Sequence, residues 1–204
     1  MIELKHISKN FGEKKLFTDF NLTIPTGDKV LFSAPSGAGK TTLIKMFMGF
    51  ERPDSGTISI AQETMTKHTL RGIREKIAYV SQDTDLNRGS LLEQLDLIFA
   101  YKVNRHILNY KEQFQALAPT FSLAPTILNE DISRLSGGER QRVALIIALI
   151  LDRDYLILDE ITSGLDSTLK QCIGDYVMAL NKTVIIVSHD ELWRQYKDLK
   201  EVSL

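Results

Sequence analysis

Leu31-Phe32-Ser33-Ala34-Pro35-Ser36-Gly37-Ala38-Gly39-Lys40-Thr41-Thr42 runs from an apolar strand through a glycine-rich turn into a helical pattern that continues to Phe50. Such a turn points successive backbone N–H groups into one concavity, and the helix start adds about half a positive charge. A chain of phosphates fits that seat. Lys40 can reach the terminal phosphates, and the Thr41 hydroxyl can take Mg²⁺. The competing reading is an ordinary turn followed by a capped helix. Against the usual Gly-x-x-x-x-Gly-Lys-[Ser/Thr] pattern, Ala34 stands at the first glycine. If that position needs a positive φ, alanine costs ~1 kcal/mol and shifts the loop.

Outward from this loop, the first sixty residues read as β-rich. Ile2, Leu4 and His6 alternate, Leu22 to Ile24 continue the pattern, Lys29 to Ser33 form a strand, and Pro53-Asp54-Ser55-Gly56 turns the chain into Gly56 to Ile60. From Leu91 to about Leu128 the period becomes helical, broken at Pro119 and Pro125. This predicts a small helical lobe over about 84–134. A helix from Ser136 to about Leu151, a strand from Tyr155 to Leu158, a helix over about 167–180 and a strand from Thr183 to Val187 follow. Strands alternating with helices predict an α/β fold with a parallel sheet covered on both faces.

Composition narrows the function. The 204 residues are 43% hydrophobic and 25% charged, enough for one cored unit, so the whole chain is expected to be a single domain. Lys plus Arg number 25 against 26 for Asp plus Glu, leaving no basic excess to attract a nucleic-acid backbone, so no nucleic-acid partner is expected. The longest apolar run, Val143 to Leu151, would reach ~14 Å as a helix, well short of a ~30 Å hydrocarbon core. The first seven residues mix charge with apolar residues, unlike a signal peptide, and the lone Cys172 forms no internal disulfide. A cytoplasmic location and a small core role for Cys172 are expected.

A second anion seat is written at Leu135-Ser136-Gly137-Gly138-Glu139-Arg140-Gln141-Arg142. Ser136 and Glu139 have capping-box spacing, and the two glycines leave the first helical amides open to close approach. As a bare motif this is also what a well-capped helix looks like. The octet resembles the signature of the ATP-binding cassette family, the nucleotide-binding subunits of ABC transporters. Further motifs of that family follow in order. Tyr155-Leu-Ile-Leu-Asp159-Glu160 is similar to the Walker B strand, with Asp159 supporting Mg²⁺ and Glu160 polarising the attacking water. Gln82 matches the Q-loop glutamine that reaches the metal, Ser163-Gly164-Leu165-Asp166 the D-loop at the dimer interface, His189 the switch histidine on the γ-phosphate, and Phe11 the aromatic that stacks on adenine. Ser188-x-x-Glu191 is also a possible capping box, which would make His189 a bystander. His6, His68 and His106 lack metal-ligand spacing and are read as structural. Ile161 stands where the family usually has proline.

The resemblance implies a phosphate-loop NTPase with an N-terminal antiparallel subdomain, a RecA-like parallel core and a helical subdomain. It implies ATP and Mg²⁺ as ligands, with Ala34 to Thr42 and Asp159 around the phosphates. Ser136, Gly137, Gly138 and Asp166 would act across a head-to-tail dimer formed with a second copy or a homologous subunit. It also implies a membrane permease partner, transport driven by dimer closure, and a place on the cytoplasmic face of the membrane. The alternative is a soluble regulatory ATPase of the same family. Such members carry tandem cassettes or a long coiled coil, whereas only 53 residues separate Gln82 from Ser136 here.

Overall fold

The computed structural model describes residues 1–35, 37–83, 86 and 89–204. Ser36 of the phosphate loop and Thr84, where the helical segment was expected to begin, lie outside them. An antiparallel sheet comes first, built from β1 (Ile2–Phe11), β2 (Lys14–Ile24), β4 (Ser55–Ile60) and the short β5 (Glu63–Thr64) in the order β2-β1-β4-β5. The second sheet is parallel, with β6 (Ile77–Val80), β7 (Tyr155–Asp159), β8 (Thr183–Val187), β3 (Lys29–Ser33) and β9 (Lys200–Ser203) in the order β6-β7-β8-β3-β9. Its helices are α1 (Lys40–Phe47), α2 (Leu70–Arg74), α5 (Gly137–Ile150) and α6 (Ser167–Ala179). Among the described residues between Gln82 and Ser136 lie α3 (Leu91–Ala100), α4 (Tyr110–Leu117) and three short 3₁₀ turns.

The strands of the parallel sheet divide two cores between them by simple alternation. Leu156 and Leu158 of β7, with Val184 and Ile186 of β8, pack with α5, α6 and the helical region. Ile157, Ile185 and Val187 face the other way, towards α1 and the antiparallel sheet. Every residue of β7 and β8 is buried, the expected outcome for a parallel sheet covered on both faces. From Val143 to Ile150 helix α5 carries only apolar side chains, and Arg142 fastens it to the helical region by donating to the carbonyls of Phe121 at 2.8 Å and Ser122 at 2.9 Å.

The alternation predicted at the start of β1 breaks at His6. This residue has φ 54 and leaves the strand rhythm, so that Ile7 rather than His6 is buried, with register shifts on both sides of the strand. Its ring Nδ1 meets Asp19 Oδ1 at 2.6 Å on the surface. Gly56 crosses this bulge with φ +93, and a Cβ there would lie 2.5 Å from the Lys5 carbonyl oxygen. Backbone cannot yield as a side-chain tip can. Cys172 is also not where composition suggested: it is partly exposed on α6, with its thiol donating to the Thr120 carbonyl at 3.1 Å. Gly56→Ala combines a left-handed penalty with a backbone clash and should destabilise the protein by at least about 2 kcal/mol, read as a Tm fall of about 4–8 °C by calorimetry.

Candidate functional site: a polar cavity at the strand ends

The C-terminal ends of β3, β6, β7 and β8 open on one cavity of about 690 Å³. Ligands of open α/β sheets gather at this end, because loops leaving the strands carry polar groups to a common mouth. Phe11, Gly37, Gly39, Lys40, Thr41, Thr42, Gln82, Asp159, Glu160 and His189 all line it, although they span most of the sequence. Ala34 is buried behind the loop, and Pro35 is exposed with its carbonyl accepting from the Ala38 amide at 3.2 Å. Lys14, Leu16 and Val187 complete the lining without having been singled out as site residues in the sequence, and Ser163 brings the first residue of the D-loop match to the same cavity. Lys14, from the antiparallel sheet, donates to the Gly37 carbonyl at 2.9 Å. Its only sequence signal was a basic residue three positions after Phe11.

Ala34 is not among the residues with positive φ, so the strain considered for an alanine here does not arise. Gly39 is the position that needs glycine. It caps α1 with φ 111, and a Cβ would lie 2.8 Å from the Phe17 ring. Lys40 Nζ donates to the Ala34 carbonyl and, at 2.9 Å, to His189 Nε2. An ammonium can only donate, so Nε2 accepts and the ring proton sits on Nδ1. Glu160 Oε1 lies 3.8 Å from the same nitrogen, which in that tautomer has no proton to donate to it. Ser188 does not form the capping box that its spacing with Glu191 allowed. Instead Asp190 caps the following turn through Leu192 N, and the Ser188 hydroxyl and the His189 amide face Glu160 Oε2 at 3.4 Å.

Glu160 itself has φ 52, a left-handed conformation that costs a β-carbon-bearing residue of order 1–2 kcal/mol. Both of its backbone groups are held: its N–H donates to the Val187 carbonyl at 2.8 Å and its carbonyl accepts from Gln141 Nε2 at 2.9 Å. Asp159 is buried, and desolvation pushes its carboxyl above the ordinary carboxylate range, opposed by the Tyr79 hydroxyl and reinforced by the Glu160 charge. Tyr79 donates to Asp159 Oδ2 at 3.3 Å, while burial and the Asp159 charge raise its phenol to about 12. The phenol therefore stays a donor at neutral pH. Phe11, at the end of β1, is half exposed, with the Lys9 ammonium 5.1 Å from its ring centroid. Lys9 is pinned by Glu51 at 2.6 Å and Asp54 at 3.3 Å.

The Mg²⁺ that the motifs imply fits the oxygen donors gathered here. Thr41, Gln82 and Asp159 share the cavity, and among the described residues no group of three or more His, Cys, Asp or Glu forms a self-sufficient cage. Hard oxygen ligands, few in number, suit an ion that keeps waters and takes phosphate oxygens. Ser136, Gly137, Gly138 and Asp166 are different, since none lines the cavity. Ser136 begins α5 with a complete capping box, accepting from Glu139 N at 3.2 Å while Glu139 Oε2 accepts from Ser136 N at 2.9 Å. Asp166 caps α6 by accepting from Leu169 N at 3.0 Å.

The profile of the ABC transporter family matches residues 17–163, from β2 to the turn beyond Glu160. The chain belongs to the ABC transporter family. Among its relatives, the transport/processing ATP-binding protein ComA of Streptococcus pneumoniae is 35% identical over 195 residues, which cover 90% of this chain and 26% of ComA. The ergothioneine transport ATP-binding protein EgtV of Helicobacter pylori is 29% identical over 197 residues, 94% of this chain and 91% of EgtV. This ABC family chain thus spans about a quarter of the length of the first curated relatives it matches. A solved dimeric ATP-binding cassette in a post-hydrolysis state, bound to ADP and Pi, superposes with TM-score 0.81 at 28% identity, covering 100% of this chain and 94% of that one. The antiparallel sheet and parallel core described above are shared with such cassettes. Within this cassette Ala34→Gly should leave nucleotide affinity within about twofold, whereas Gly39→Ala should weaken it at least tenfold, about 1.4 kcal/mol, in a fluorescent-nucleotide titration.

Proposed function

We propose that this chain is the ATP-hydrolysing subunit of a transporter, driving transport through membrane subunits by closing head to tail on a second cassette. The observation that carries the reading is the cavity that unites Lys40, Thr41, Gln82, Asp159, Glu160 and His189. In this reading Phe11 stacks on the adenine, and the loop from Ala34 to Thr42 cradles the phosphates. Lys40 exchanges its His189 and carbonyl partners for phosphate oxygens. Thr41, Gln82 and Asp159 would hold Mg²⁺, which when bound neutralises charge on the β- and γ-phosphates. Glu160 orients a water towards the γ-phosphorus and takes its proton as the water oxygen bonds, ADP being the leaving group. His189, freed from Lys40, contacts the γ-phosphate. Most of the acceleration in this scheme comes from positioning and fixed charge.

The position of the α5 start supports the dimer. Ser136 and Gly137 are exposed and Gly138 is partly so, and all three lie outside this chain's own cavity, so their amides are open to another protomer's nucleotide. Asp166, exposed at the start of α6, would lie at the same interface. ATP holds such a dimer by binding both halves, and hydrolysis removes that linkage. The helical region between Gln82 and Ser136 would pass the motion to a membrane subunit. In this reading the spans belong to the membrane subunit and the cassette sits on the membrane's cytoplasmic face; among the described residues no helix is long and apolar enough to cross a membrane. The names of the relatives favour transport over the regulatory alternative.

Glu160→Gln should lower kcat for phosphate release at least a hundredfold while ATP-bound dimer accumulates in size-exclusion chromatography; turnover at the wild-type rate would remove Glu160 from its role. Lys40→Ala should instead abolish measurable nucleotide binding. Ser136→Arg should block hydrolysis and dimer formation while the monomer still binds ATP.

A further inference from the structure

Glu160 leaves β7 in a left-handed turn, and its carbonyl is taken by a side chain from another element, Gln141 of α5. We propose that Gln141 is a positioning residue for hydrolysis: its amide holds the turn that aims the Glu160 carboxylate into the cavity and ties that turn to the helix beginning at Ser136.

Gln141 is 7% exposed, a buried polar side chain whose Nε2 donates to the Glu160 carbonyl at 2.9 Å. The Glu160 carbonyl also accepts from the Ser163 amide at 3.1 Å within the turn, and the Glu160 N–H donates to Val187 of the neighbouring strand, so the Gln141 bond is the one that fixes the residue from the helix layer. An uncharged donor is the right chemistry for this place. A lysine or arginine would bring a cation beside the Glu160 carboxylate, and an apolar side chain would leave the carbonyl without this partner. Gln141 also follows Ser136 by five residues on one continuous helix, about 7.5 Å along the axis. The capping box at Ser136 makes that helix start a rigid handle. Resting on the head-to-tail reading above, the geometry links two sites: when Ser136 engages the nucleotide bound by the other protomer, the same helix adjusts the Glu160 turn of its own protomer.

The test is a double-mutant cycle of Gln141→Met, which keeps length and volume, with Glu160→Gln. Gln141→Met alone should lower kcat at least tenfold with KM for ATP within twofold. In the Glu160→Gln background it should cause no further loss, and ATP-bound dimer should form at the same ATP concentration. A wild-type kcat for Gln141→Met, or losses that simply multiply in the double variant, would overturn the proposal. Gln141→Glu, which keeps the length but presents an acceptor, serves if the methionine variant does not fold, with the same results expected and the same results fatal. The two layers of inference separate cleanly. Full turnover by Glu160→Gln would defeat the assignment of Glu160 itself. Lost turnover there beside normal turnover in Gln141→Met would defeat only the role of Gln141.

Discussion

Two carboxylates, Asp159 at the last residue of β7 and Glu160 just beyond it, stand at the end of the sheet where a nucleotide would bring several more negative charges. That crowding constrains everything around it. Burial already pushes the Asp159 carboxyl upward and the Glu160 charge adds to the effect, while Lys40 works against it. A polyphosphate can enter such a site only if fixed positive character outweighs the carboxylates. The amides of the phosphate loop, the start of α1, Lys40 and a divalent cation are the groups able to provide it. Lys40 is thus held ready by the Ala34 carbonyl and His189 within the same network as the acids. The Tyr79 hydroxyl further steadies Asp159 without adding charge.

The second constraint is geometric. A loop that wraps phosphates from one side leaves the other side to water, and water competes with the single molecule that must be aligned for attack. This chain presents a second helix start, at Ser136, that is preorganised by its own capping box yet lies outside its own cavity. An exposed, rigid, amide-rich opening with nothing of its own to grip is suited to closing a site on another molecule. Gly138 is placed against Leu165 of the turn before α6, where a Cβ would come within 3.3 Å of that side chain. The signature turn and the turn carrying Asp166 therefore form one surface.

Much of this was legible in the sequence because the decisive elements carry strong local signals. The glycines around Lys40, the Ser136 capping box and the unbroken apolar strands of β7 and β8 appear within a residue or two of where periodicity and capping set them. What escaped was local structure governed by distant partners. Strand β9 is mostly exposed and polar, and it is a strand because it pairs with β3 at the sheet edge. The His6 bulge depends on Gly56, fifty positions away, and β6 is defined by its pairing with β7. Tyr79 and Gln141 looked like ordinary strand and helix residues, since nothing local says that their tips meet Asp159 and Glu160. The Ser188 spacing erred in the opposite direction. It offered a cap that Asp190 supplies instead, because a carboxylate two residues on reaches the Leu192 amide.

The two departures from the family pattern follow from the same logic. Ala34 is harmless because the chain there does not turn left-handed, and among the described loop residues the positive φ angles fall at Gly37 and Gly39. Ile161 replaces a proline that would stiffen the exit from β7 by fixing one dihedral. Here stiffness has other sources: Ile161 is 2% exposed in the core shared with α5, and Glu160 before it is held by Val187 on one side and Gln141 on the other. A buried anchor plus these hydrogen bonds, and one from the Ser163 amide to the Glu160 carbonyl at 3.1 Å, restrains a turn at several points, where a proline ring restrains it at one. The turn can therefore hold a left-handed glutamate without a proline, and its restraint runs through α5, the element that also begins at the Ser136 capping box.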